Sequence, residues 1–200
     1  MTVAVKQLFD MSLHTRVTEF QGVIASMKVT GRSGATQDSQ DAMSLLVQSL
    51  EKLRSEGGHL YIVGNGGSAG VASHAATDFL KCGKIRAATL YDASLLTCMS
   101  NDYGYDVAFA QILATVAGGK DVLFAISSSG QSPNICNAAL EMCKLGGSVV
   151  TLTGFSPNNP LRSLGDLNIW LDSDDYGMVE IGHQFVLHNL ADRIRLKATL

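Results

Sequence analysis

The chain is poor in charge: only 16% of its residues are charged, and the formal balance is −3. No basic field exists to hold a nucleic-acid backbone, so a polyanion partner is excluded, while a small anion held by backbone amides is not. The four cysteines, Cys82, Cys98, Cys136 and Cys143, include no C-x₂-C pair of the kind that binds a structural metal. Cys136 and Cys143 lie a heptad apart in a helical pattern and read as core packing. No apolar run approaches the ~20 residues of a membrane span, and no cationic start with an apolar stretch reads as a signal peptide. A reduced, cytoplasmic protein with no membrane partner is the expectation.

What is abundant is apolar surface, at 46% of the residues, which suits a buried core and argues against disorder. Apolar positions from Val3 to about Lys28, among them Leu8, Met11, Val17, Phe20, Val23, Ile24 and Met27, recur with helical spacing. Gly31-Arg32-Ser33-Gly34-Ala35 breaks that pattern. A second helix is expected from about Asp38 to Ser55. Beyond Gly57-Gly58 short apolar runs alternate with helical segments, the pattern of βαβ units. Strands are predicted over 59–63, 87–90, 122–126, 148–152 and 167–171, and helices near 70–82, 94–100, 106–117, 132–145 and 178–197. Right-handed crossovers then give an α/β fold, a three-layer α/β/α sandwich on a mostly parallel sheet of about five strands. With no linker, residues 1–200 read as one domain: helices over 1–56, available for oligomerisation, and an α/β core over 57–200.

Ligands of such sheets bind beyond the carboxyl ends of the strands. Gly64-Asn65-Gly66-Gly67-Ser68-Ala69-Gly70 follows the first predicted strand of the core and enters a helix, so its backbone can turn tightly and approach a ligand. The strand at 122–126 ends in Ser127-Ser128-Ser129-Gly130-Gln131-Ser132-Pro133. An N-cap explains Ser132, and Pro133 suits a first helical turn, but capping leaves Ser127, Ser128 and Ser129 unexplained. Hydroxyls beside free helix amides make a cradle for phosphate oxygens. The glycine loop lacks the Lys-Ser/Thr of a Walker loop, and no acidic residue closes the second core strand as a ribose-binding carboxylate would. No nucleotide cofactor is expected; a phosphate on something smaller is.

Gly64-Asn65-Gly66-Gly67-Ser68, His74, Asn101-Asp102-Tyr103-Gly104 and Ile126 to Ser132 together resemble the sugar-isomerase (SIS) domain, and within it the phosphoheptose isomerases. The likeness runs over nearly the whole chain. It implies conversion of sedoheptulose 7-phosphate to D-glycero-D-manno-heptose 7-phosphate, a step toward heptose in bacterial envelope polysaccharides. It also implies sugar contacts from Asn65, Gly66, Gly67 and Ser68, hydroxyl contacts from Asn101 and Asp102, and phosphate contacts from Ser127, Ser128, Ser129 and Ser132. Zinc, a homotetramer and sites between subunits belong to the same pattern.

Moving a carbonyl between C1 and C2 needs a base and an acid. His74 and Asp78 stand four apart on one helix face, and Glu180, Gln184 and His188 share a face of the last helix. His183 reads as structural. The family's metal ligands and acid/base groups map onto His74, Asp78, Glu180 and His188, with Asp78 or Glu180 as base and His188 as acid. Phosphoheptose isomerases typically carry glutamate at the place of Asp78 and glutamine at that of Glu180. The segment from Asp174 to Val179 also lacks their acidic-basic pair. Helical rise separates Glu180 from His188 by ~12 Å, so one ion shared by both is easier if one of them comes from another subunit. The alternatives are a non-catalytic SIS regulator associated with a replication initiator, and an isomerase or etherase of amino-sugar phosphates.

Overall fold

The computed structural model describes residues 11–197. Helix α1 (Leu13–Ala25) opens the described chain; β1 (Lys28–Gly31), β2 (Thr36–Gln37), α2 (Ser39–Glu56), β3 (His59–Val63), α3 (Gly67–Lys81) and β4 (Arg86–Thr89) follow. Then come α4 (Ala93–Tyr103), α5 (Ala108–Val116), β5 (Val122–Ser127), α6 (Pro133–Lys144), β6 (Ser148–Thr153), β7 (Leu167–Trp170) and α7 (Tyr176–Lys197). The sheet order is β2-β1-β7-β6-β5-β3-β4. Strands β7, β6, β5, β3 and β4 are mutually parallel and coincide within a residue or so with the five strands expected.

Among the described residues the sheet nevertheless has seven strands. β1 and β2 form an antiparallel hairpin, with β1 running antiparallel along β7, over residues expected to end a helix and break. Period two over four residues is easily lost beneath a longer helical pattern. Val29 and Thr30 are β-branched and buried, Gly34 turns the hairpin at φ +80°, and the helix stops at Ser26. Residues 3–10 of the long first helix lie outside the described residues. The leading segment is therefore not merely a helical pair, because its hairpin extends the sheet and α2 buries Met43, Leu46, Val47, Leu50 and Leu53 in the core.

Strand alternation divides the core into two layers. Leu60, Ile62, Val122, Phe124 and Ile126 face α2, α3 and α7, whereas Tyr61, Val63, Leu123 and Ala125 face α5 and α6. Cys136 and Cys143 pack at the margin of the second layer, as their spacing suggested. By contrast α1 buries no residue, and Leu13 and Val17 are exposed. Among the described residues no helix is long and apolar enough to cross a membrane.

Candidate active site

From β3 the chain moves outward to β4, and from β5 it moves the other way through β6 to β7. The direction reverses between β3 and β5, which opens a crevice at their carboxyl ends. Both predicted loops leave the sheet there, so neighbouring strands put the glycine turn beside the serine turn. A cleft of ≈ 280 Å³ is lined by Asn65, Gly66, Gly67, Ser68, Ser127, Ser128, Ser129 and Ser132, with Tyr176 and Glu180 from the start of α7.

Backbone conformation calls for one glycine, and a close approach makes use of a second. Gly66 sits at φ +54°, ψ −122°, a region open to residues without a Cβ. At Gly67 a Cβ would overlap the Glu180 carboxylate, so that carboxylate lies directly on the loop backbone. Behind the turn, the Tyr91 hydroxyl accepts from the Gly64 amide at 2.6 Å and donates to its carbonyl at 2.9 Å. Burial raises the Tyr91 pKa, so the phenol stays protonated and keeps donating. Asn65 and Asn134 exchange amide hydrogen bonds at 2.9 Å in each direction, and the Tyr105 hydroxyl donates to Asn65 Oδ1 at 2.8 Å. Asn65, expected to reach the sugar, thus spends much of its amide on holding the loop.

The serine turn is organised around Ser127, whose hydroxyl accepts from the Gly130 amide at 3.2 Å and lies 3.2 Å from the Ser132 hydroxyl. Ser132 occupies the N-cap place of α6, but its side chain does not cap the helix. Gly130, at φ +64°, packs against Asn159 where a Cβ would sit. Ser128 is 4% exposed, and among the described residues its hydroxyl has no hydrogen-bond partner. A buried hydroxyl without a partner costs free energy unless a ligand supplies one.

Along the packed pair α3 and α7 lies a second cluster. Oδ2 of Asp78 is 2.9 Å from His188 Nδ1 and 3.4 Å from His74 Nε2, and the two imidazole rings stand 4.7 Å apart. Neither approach is aligned as a hydrogen bond, and Oδ2 is buried. One ligand atom from each of these residues lies within 4.8 Å of the others. Glu180, expected among the metal ligands, does not join them; it belongs to the serine cleft. The cluster also forms within one chain.

Asn101 and Asp102 are brought to neither place. They are exposed at the end of α4, where Asn101 Nδ2 donates to Asp102 Oδ1 at 2.9 Å. His183 is fully buried, with Nε2 donating to the Thr153 carbonyl at 3.2 Å, and burial pulls its pKa down to about 4. Sequence reasoning missed Tyr176 as a wall of the cleft, although it stands one turn before Glu180 on the same helix face. It also missed Asn134, Tyr91 and Tyr105, whose partnership with the glycine loop has no local signature.

Residues 25–154 match the SIS domain family. The phosphoheptose isomerase of Thiobacillus denitrificans is 31% identical over 92% of this chain and 95% of that protein. That of Helicobacter hepaticus is 34% identical over 78% of this chain and 80% of its own. The structure of a phosphoheptose isomerase from Francisella tularensis superposes with a TM-score of 0.80 at 22% identity, covering 98% of this chain and all of that one, and so shares the fold. The chain is a SIS-domain protein, and it belongs to the phosphoheptose isomerase family.

Proposed function

We propose that this protein is a cytoplasmic aldose–ketose isomerase that converts sedoheptulose 7-phosphate to D-glycero-D-manno-heptose 7-phosphate. The observation that carries the reading is the cleft itself, where the serine turn, with a buried Ser128 hydroxyl that has no partner among the described residues, shares its wall with a carboxylate. The names of its relatives point to the same substrate. Ser127, Ser128, Ser129 and Ser132 would hold the phosphate, while Gly66, Gly67, Ser68 and the braced Asn65 shape the sugar's path.

Isomerisation removes a proton from C1 as the C2 carbonyl oxygen gains one, giving an enediol; C2 then takes a proton as O1 loses its own. Glu180 is the base in this reading, since it faces the cleft, whereas Asp78 is engaged by two histidines. His188, 2.9 Å from Asp78 Oδ2, is the acid that moves the proton between oxygens. Helical rise sets Glu180 and His188 ~12 Å apart, so the base of one copy would work with the acid of another whose last helix meets it. The exposed apolar residues Leu13, Val17, Ile181 and Phe185 favour such an assembly, a tetramer by the family pattern. Exposed Asn101 and Asp102 would then reach a neighbour's sugar.

His74, Asp78 and His188 fit a zinc ion: two imidazoles and a carboxylate converge, and a buried carboxylate oxygen lacks a hydrogen bond. When bound, zinc would polarise a sugar oxygen as a Lewis acid. The test is incubation with sedoheptulose 7-phosphate, with and without added zinc, while aldose formation is followed. Turnover is expected; none under either condition would overturn the reading.

A further inference from the structure

Tyr176 is the first residue of α7, and the other residues of the cleft do not account for its state. Asp175 holds the start of the helix, accepting from the Met178 amide at 3.0 Å through its side chain and from Val179 through its carbonyl. The tyrosine backbone is therefore fixed. Its ring stands edge-on to Phe155, with centroids 4.7 Å apart. Phe155 holds φ at +52°, a conformation costly for a residue with a Cβ, and such strain persists where surrounding structure imposes it. That structure is visible: the Phe155 amide donates to the Ser173 carbonyl at 2.8 Å, and the Gly154 amide donates to the Ser128 carbonyl at 2.9 Å. The loop after β6, the serine turn and the start of α7 are sewn together, and the outcome is an aromatic platform under Tyr176. Yet Tyr176 is 61% exposed, and among the described residues its hydroxyl has no partner. A positioned, half-bare aromatic with an unspent hydroxyl, on the wall of a cleft, is equipped for a ligand with both C–H and O–H groups.

We infer that Tyr176, seated on Phe155, selects the length of the sugar. The inference rests on the isomerase reading for its substrate class. Tyr176 stands one helical turn before Glu180, about 6 Å along the axis. Tyr176, Glu180 and the serines line one cleft, so a sugar with its phosphate among the serines and its reacting end at Glu180 shares that cleft with the tyrosine. A seven-carbon chain covers the ring and meets its hydroxyl; a five-carbon chain cannot do both.

The test is binding of sedoheptulose 7-phosphate, ribulose 5-phosphate and inorganic phosphate to the full chain and to Tyr176→Ala and Tyr176→Phe, by calorimetry. The wild type should favour the seven-carbon sugar. Tyr176→Ala should shrink that preference by roughly tenfold, the order expected when a small contact is lost from a specific pocket. Tyr176→Phe should lose part of it, and phosphate affinity should hold in both. An unchanged ratio, or equal weakening of all three ligands, would overturn the inference. Because binding is read without turnover, a protein that binds but does not isomerise refutes the isomerase reading and still decides the role of Tyr176.

Discussion

At Gly67 a single methyl group would collide with the carboxylate of Glu180, so loop and proposed base are fitted to each other. Gly67→Ala should displace Glu180 and lower kcat/KM by about 10²-fold, the usual cost of misplacing a reacting group by an ångström. Thermal unfolding measured alongside should move little. Glu180→Gln removes the proton acceptor at nearly constant shape and should cost about 10²–10⁴-fold in kcat. Retained turnover would transfer the role of base to Asp78. His183 makes a different prediction, about stability. Its pKa is about 4 in the folded protein against 6.5 for the free side chain. Between these values the unfolded chain takes up a proton that the folded one refuses. The stabilisation is therefore complete above pH 6.5 and is lost as pH falls toward 4, on the order of 3 kcal/mol. Urea unfolding from pH 7.5 to 4.5 should show that slope, and His183→Gln should flatten it.

At the scale of elements, the added hairpin pairs along β7 through its backbone, and one buried side chain ties it further to the parallel sheet. Asn168 on β7 accepts from Thr151 Oγ1 at 2.7 Å and from the Gly165 amide at 3.0 Å, and it donates to the carbonyls of Thr30 and Gly165. Asn168→Ala would leave several buried partners unsatisfied and should cost about 2–4 kcal/mol in urea unfolding. The parallel strands were legible because each is a short apolar run between turn signals, and burial on both faces requires such a run. The hairpin was not, because Lys28-Val29-Thr30-Gly31 is too short to announce itself and finds its partner in β7, more than a hundred residues away.

At the scale of the whole molecule, the proposed division of labour between copies has a direct consequence. Glu180→Gln and His188→Asn chains should each be nearly inactive alone. Mixed, unfolded and refolded together, they should regain part of the turnover, because some clefts then combine an intact base with an intact acid. No recovery in verified mixed oligomers would place both groups in one chain's site.

The two loops, and the expectation of a phosphate between them, follow from the sequence itself. Glycine and serine chemistry is local, and a strand followed by a turn and a helix has one functional end. The grouping of the distant residues was decided only by the tertiary structure. His74, Asp78, Glu180 and His188 read as one set along the chain. The packing of α3 against α7 divides them, leaving Glu180 on the glycine turn and gathering the other three two turns further along the helices. Helical rise separates what residue type alone would unite. Tyr176 was hidden for the same reason, since its role depends on Phe155, brought beneath it by the loop after β6.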